Sequence, residues 1–279
     1  MEKRYCVLVA CMMAFLCLLF ACQKDDGVMG GEDTRLPIDL SGEIDQVMLS
    51  RVNDGGFCDK DVIGVYIVDY EGGKPGELKL EGNRASNVQF TYNEANNKWS
   101  GAYDIYWKDS KTPIDVYGYY PWNSQESIGE YAFEVQKDQS KAGENGNLGG
   151  YEASDFLWGK AEEVAPSTKV IRLAFRHKMS TARVTLVEGE GFAEGEWTGL
   201  EKQVLVTNTN EKALIDLKTG NVTATGTVAI TGTIPYQKDG EFRAIVVPQE
   251  ISTGTELFKI TVDGVVYAFK KNEAFTYVS

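Results

Sequence analysis

Beyond residue 35, the hydrophobic positions of this chain recur with a period of two, in short runs closed by Gly, Asn, Asp or Pro. Residues 62–68 form a β-branched run, Val-Ile-Gly-Val-Tyr-Ile-Val, that stops at Glu71-Gly72-Gly73-Lys74-Pro75-Gly76. Residues 88–92 and 114–119 alternate and end at the asparagine-rich stretch 93–97 and at Pro121. Period two continues through residues 170–179 and 182–187. Residues 204–207 and 213–217 are separated by Asn208-Thr209-Asn210, which predicts a hairpin. Residues 243–247 and 257–262 follow, and Asp263-Gly264 turns the latter into 265–269. Many short strands at close spacing predict an all-β sandwich or barrel. No helix is predicted. Residues 137–152, rich in glycine, read as a long loop. The polar stretch from Lys160 to Lys169, with Pro166 inside it, is the expected junction between two sandwiches of comparable size, residues 36–163 and 167–279.

The first 26 residues follow a different pattern. Lys3 and Arg4 precede an apolar run from Cys6 to Ala21, about 16 residues long and short of the ~20 that a membrane-spanning helix needs. Its close, Leu19-Phe20-Ala21-Cys22, resembles a bacterial lipobox, which implies that residues 1–21 are a signal peptide and that Cys22 becomes the lipidated first residue. More than one acyl chain, each buried CH2 contributing about 0.8 kcal/mol, makes such an anchor stable. Gln23-Lys24-Asp25-Asp26 resembles the acidic surface-export tag of Bacteroidetes lipoproteins, and residues 22–35 read as a flexible tether.

Composition narrows the partners. The full chain carries a net charge of −13; without residues 1–21, which hold Glu2, Lys3 and Arg4, 26 basic face 40 acidic side chains. That balance argues against nucleic acid and anionic lipid as partners. Of five cysteines, Cys6, Cys11 and Cys17 leave with the signal and Cys22 is the lipid site, so Cys58 alone remains and no internal disulfide is expected. Stability has to come from packed apolar area.

Little in the sequence points to catalysis or to a cofactor. The single histidine, His177, shares a strand face with Leu173, Phe175 and Met179, and is expected to close a hydrogen bond at a core edge. Cys58, in Gly55-Gly56-Phe57-Cys58-Asp59, has no histidine nearby and is expected to be an inert thiol. Gly189, Gly191 and Gly195 do not open a helix after a strand, so they are not a phosphate loop. The aromatic group Tyr103, Tyr106, Trp107, Tyr117, Tyr119, Tyr120 and Trp122 has two readings: sheet packing, or a stacking platform for sugars on an exposed face.

Taken in order, the motifs resemble the fimbrillin family of Bacteroidetes. Asp61-Val62-Ile63-Gly64-Val65-Tyr66, Ile105-Tyr106-Trp107, residues 114–121, Asp138-Gln139-Ser140 and Asp155-Phe156-Leu157-Trp158-Gly159 are similar to its first domain. Residues 175–184 and Ala244-Ile245-Val246-Val247-Pro248-Gln249 are similar to its second. The resemblance, from about residue 36 to the end, implies two tandem transthyretin-like β-sandwiches and a non-enzymatic role as a subunit of a surface fimbria, the type V pilus. It further implies a lipoprotein at the outer membrane, an Arg-specific cut that removes a first strand, and polymerisation by donor-strand exchange with other fimbrial subunits, with adhesion to a host or bacterial surface receptor. On this chain the removable strand falls on residues 36–49 and the cut at Arg51. Arg35 and Arg84 are the rival arginines, and cutting at Arg35 would free the lipid without opening a groove. The family carries a further C-terminal donor segment after a strand like residues 274–278. The sequence here stops at Ser279, which leaves truncation, another mode of polymerisation, or an anchor or tip role as alternatives. The competing functional reading is a surface glycan-binding lipoprotein of the β-sandwich type, using Tyr106, Trp107 and Trp122.

Overall fold

The computed structural model describes residues 35–45, 56–124, 126–144, 147–229 and 231–279. The expected signal peptide, Cys22, the tether apart from Arg35, and Arg51 lie outside the described residues. Strands follow one another along nearly the whole described chain: β1 (Leu40–Ile44), β2 (Val62–Glu71), β3 (Lys74–Pro75), β4 (Ala85–Asn93), β5 (Lys98–Gly101), β6 (Ile114–Tyr120), β7 (Tyr131–Glu134), β8 (Leu157–Val164), β9 (Ile171–His177) and β10 (Ser180–Thr185). They continue as β11 (Lys202–Val206), β12 (Thr209–Asp216), β13 (Asn221–Ala229), β14 (Tyr236–Lys238), β15 (Glu241–Val246), β16 (Gln249–Ile251), β17 (Glu256–Val262), β18 (Val265–Lys270) and β19 (Phe275–Tyr277). Two single-turn helices, Gly150–Ala153 and Glu196–Gly199, interrupt them. The fold is all-β, as expected.

The largest sheet runs β1-β9-β8-β6-β2-β4-β5, with β3 paired to the end of β2. Every pairing in it is antiparallel except β1 with β9. Its centre is covered on both faces. Along β6, Ile114, Val116 and Tyr120 enter one core, while Tyr117 and Tyr119 enter another on the opposite side. Likewise, along β2, Ile63, Val65 and Ile67 face the first core and Tyr66 and Val68 the second. Gly64 between them makes room for the Tyr119 ring, which a Cβ would meet at 2.2 Å. A strand that is apolar on both faces reads as a near-continuous hydrophobic run, which is how residues 62–68 read.

The second core joins this sheet to the three-stranded sheet β13-β12-β7 through Tyr131, Phe133, Ala213 and Ile215. Ile245 and Val247 enter it as well, while Ala244 and Val246, on the other face of β15, enter a third core with Val206, Ile251, Leu257 and Tyr277. Residues from both expected sandwiches therefore share one apolar interior, and Leu36–Ser279 is one compact unit. The expected junction between residues 163 and 167 falls inside the first sheet: β8 runs to Val164, and β9 returns to pair with it at Leu157↔His177.

One local expectation is corrected. Residues 204–207 and 213–217 do not form a hairpin; β11 pairs with β17, whereas β12 pairs with β13 and β7. Thr207 Oγ1 and Asn208 Nδ2 both donate to the carbonyl of Glu256, at 3.0 and 2.9 Å, which holds the end of β11 on β17. Asn208, at φ 57°, then turns the chain into a different sheet.

The glycine-rich stretch 137–152 is anchored rather than loose. Gln139 is fully buried; its Nε2 donates to the Ile245 carbonyl and its Oε1 accepts from the Ile245 N–H, both at 2.8 Å. Replacing it with leucine strands both backbone groups in a dry site. Gln139→Leu is expected to lower the unfolding free energy by about 2–4 kcal/mol, read as a shift of the urea midpoint at unchanged slope; a shift worth under 0.5 kcal/mol would show that the loop is not held there.

Candidate functional site

The candidate site is the first strand and the slot it fills. Apolar and polar residues alternate along 36–45, with Leu36, Ile38, Leu40 and Ile44 turned to the first core and Asp39, Glu43 and Asp45 exposed. Ile38 and Leu40 are buried. The segment is bonded to two partners in succession. The Ile38 N–H donates to Ile105 O at 2.8 Å and the Trp107 N–H donates to Leu36 O at 2.9 Å, around an antiparallel bridge of Pro37 to Tyr106. From Asp39 onward the partner is β9: the Ile171 N–H donates to Asp39 O, the register runs Leu40↔Ile171 to Ile44↔Phe175, and the Asp45 N–H donates to Phe175 O at 2.7 Å.

Two features set β1 apart from the other strands of this sheet. It is terminal in the strand order, so its departure leaves β9-β8-β6-β2-β4-β5 contiguous. It is also the one end of the sheet held by a parallel ladder, and the next described strand along the chain, β2, lies four places away. No hairpin joins it to its neighbour. What holds it is the ladder and the apolar row, each fully buried Leu or Ile contributing about 1.5–3 kcal/mol. The ion pairs on its outer face, Glu43 with Arg172 at 4.0 Å and Asp45 with Arg176 at 3.3 Å, are exposed and add little.

The slot beneath β1 is aromatic. Phe175 is fully buried, and Phe57 meets it edge-on with ring centroids 5.4 Å apart. Phe57 also meets Trp99 at 4.8 Å and Tyr120 at 5.8 Å. Without β1 the floor would consist of Ile171, Leu173, Phe175, Trp99, Ile105 and Trp107, beside the unpaired backbone groups of β9.

The other sequence candidates resolve differently. Cys22 and Arg51 lie outside the described residues, as do residues 46–49 of the expected removable strand. Arg84 donates to both carboxylate oxygens of Asp69, at 3.1 and 2.6 Å. His177 Nδ1 lies 2.9 Å from Asp155 Oδ1, both nearly buried, so the histidine does close a bond at a core edge. Its partner, 22 residues upstream at the entrance to β8, gave no spacing signal. Cys58 is half-buried and outside any disulfide, and its backbone N–H donates to Asp61 Oδ2 at 2.6 Å.

The three rings do not form one exposed face: Trp107 is buried, and Tyr106 and Trp122 are half-buried, with Trp122 Nε1 donating to Asn87 O at 3.3 Å. Of the aromatic group only Tyr103 is largely exposed. A buried ionic cluster went unnoticed in the sequence. Asp115 on β6 accepts from Lys160 Nζ at 3.1 Å, Tyr70 Oη at 3.2 Å and the Glu163 N–H at 2.9 Å. Burial opposes the charge on Lys160, but hydrogen bonds to Glu162, Tyr117 and Asp115 outweigh it and hold the ammonium above the ordinary lysine range. With every member satisfied, the cluster ties β6 to β8 and offers no reactive group. Among the described residues, no group of three or more His, Cys, Asp or Glu is placed to hold a metal ion.

The sequence matches a family model described as fimbrillin-like over residues 50–279. The chain belongs to the fimbrillin-like family. Among solved structures it resembles a candidate cell adhesion protein of Bacteroides uniformis, at TM-score 0.61 and 18% identity, covering 88% of this chain and 90% of that one. A second such protein, from Bacteroides ovatus, gives TM-score 0.63 at 14% identity, covering 87% and 89%. A fimbrial protein of Bacteroides ovatus gives 0.51 at 19% identity, covering 88% of this chain but 48% of its own. At these identities the likeness is one of fold. Among curated proteins no sequence matches the chain. Fimbrillin-like membership supports a structural, non-enzymatic role as a fimbrial subunit at the cell surface.

Proposed function

We propose that this fimbrillin-like chain is a lipid-anchored subunit of a surface fimbria, and that residues 36–49 are a removable plug whose place in the sheet is taken by a strand of a neighbouring subunit. Cys22 carries the lipid and holds the precursor at the outer membrane; cleavage after Arg51 frees the plug. The single observation that carries this reading is β1, a terminal parallel strand with a fully apolar inner row, whose loss leaves the rest of the sheet intact. An exposed sheet edge beside a missing core row is the arrangement that strand addition completes. Repeated head to tail, such a contact does not close on itself and gives a filament.

The test uses purified precursor treated with an Arg-specific protease. Wild-type protein is expected to lose the segment that ends at Arg51 and to form SDS-resistant ladders, while Arg51→Ala stays monomeric. Clean cleavage at Arg51 with a persistent monomer would overturn the proposal. Mass spectrometry of surface-extracted protein checks the anchor separately, through an acylated Cys22.

A further inference from the structure

We infer that the slot under β1 selects its occupant by one glycine: the strand of a neighbouring subunit that completes this sheet has to carry glycine where β1 has Gly42. The inference rests on the strand-replacement reading above and specifies its partner. The inner row of the first segment reads Leu36, Ile38, Leu40, Gly42, Ile44. At its fourth place a Cβ would lie 2.9 Å from Phe175 Cε2 and 3.4 Å from both Cε2 and Nε1 of Trp99. The first distance is one that real side chains do not adopt, so the ring would have to move.

It has nowhere to go. On its far side stands Gly118 of β6, where a Cβ would lie 2.7 Å from Phe175 Cζ and 3.0 Å from Leu173 Cδ1. Phe175 is thus clamped between two glycines on strands β1 and β6, with Phe57 edge-on at 5.4 Å. Trp99 is held in turn by Phe57 and by Tyr92 at 5.1 Å. Gly42 is not among the residues with positive φ, so its backbone suits any residue. Volume alone is read at this place. An added side chain would overpack a core that cannot relax, whereas the exposed positions 39 and 43 are free to vary.

The rule can be applied to the chain itself. The spacing apolar, apolar, apolar, glycine, apolar at alternate positions occurs once more in the sequence, as Phe258, Ile260, Val262, Gly264 and Val266. A peptide of that stretch therefore serves as a probe of the slot that owes nothing else to β1.

The full chain, cut after Arg51, would be incubated with four fluorescent peptides: residues 36–45, residues 258–266, and the Gly42→Leu and Gly264→Leu versions of each. Both glycine peptides are expected to displace the resident fragment and label the body. Both leucine versions should bind roughly tenfold to a hundredfold more weakly. Equal labelling by the leucine peptides, or exclusion of 258–266 while 36–45 enters, would overturn the glycine rule with strand replacement still standing. Entry by none, with the resident fragment still bound, would overturn the strand-replacement reading itself.

Discussion

Phe175→Ala is expected to lower the unfolding free energy by about 3–5 kcal/mol. The ring is fully buried at the centre of the first core, touches Phe57 edge-on, and fills the space between the glycines of β1 and β6. Truncation leaves a cavity that its neighbours cannot collapse into, because Gly42 and Gly118 have no side chains to extend and Leu173 and Trp99 are already packed. The loss also removes the floor on which β1 lies, so the amides of residues 40–44 should lose protection from hydrogen exchange before those of β2 and β6. Equilibrium unfolding in urea measures the first effect and native-state exchange the second. A cost under 1 kcal/mol would mean that the aromatic floor is not what closes the slot.

The second large effect concerns β1 itself. Leu40 is buried and paired in register with Ile171. Leu40→Asp puts a carboxylate among apolar groups with no cation beside it, at a cost of about 3–5 kcal/mol if the strand were to stay in place. The strand is expected to leave while β9-β8-β6-β2-β4-β5 holds, because β1 is terminal and its release returns the carboxylate to water. The exposed edge of β9 and its apolar floor should then drive self-association at micromolar concentration, seen by light scattering, with residues 36–45 open to proteolysis. A protected β1 and a monomeric solution would refute the view that this strand is separable.

The sequence made the strand content of the body legible because period-two runs and turn residues are local signals. Residues 62–68, 114–119 and 257–269 needed nothing beyond themselves. What escaped was set by distant partners. Nothing local distinguishes residues 204–217 as two strands of different sheets, since the corner depends on Thr207 and Asn208 meeting the carbonyl of Glu256. The inward residues of β13, Val222 and Ala224, are small and only half-buried, with a threonine between them, so its alternation is faint. The shared second core joins residues 66–156 to residues 179–247, and no composition shift marks that union. His177 was legible as a histidine at a core edge, but Asp155 as its partner was not. The candidate site came through family resemblance as a segment, residues 36–49. Its chemistry was visible all the same: apolar residues at 36, 38, 40 and 44 around Gly42 are the inner row, while the reason for the glycine, Phe175, lies across the sheet.

The most direct measurement is a reversible lock on β1. Ser41 and Arg172 are register partners on β1 and β9, and neither is buried. In a Cys58→Ser background, Ser41→Cys with Arg172→Cys would tie the plug to its edge by a disulfide. Treated with an Arg-specific protease, the oxidised protein should be cut after Arg51 yet remain monomeric, and a reducing agent should then start SDS-resistant ladders within the same sample. Ladders that form while the lock is closed, or none after it is opened, would contradict the claim that this strand has to leave before a neighbour can enter.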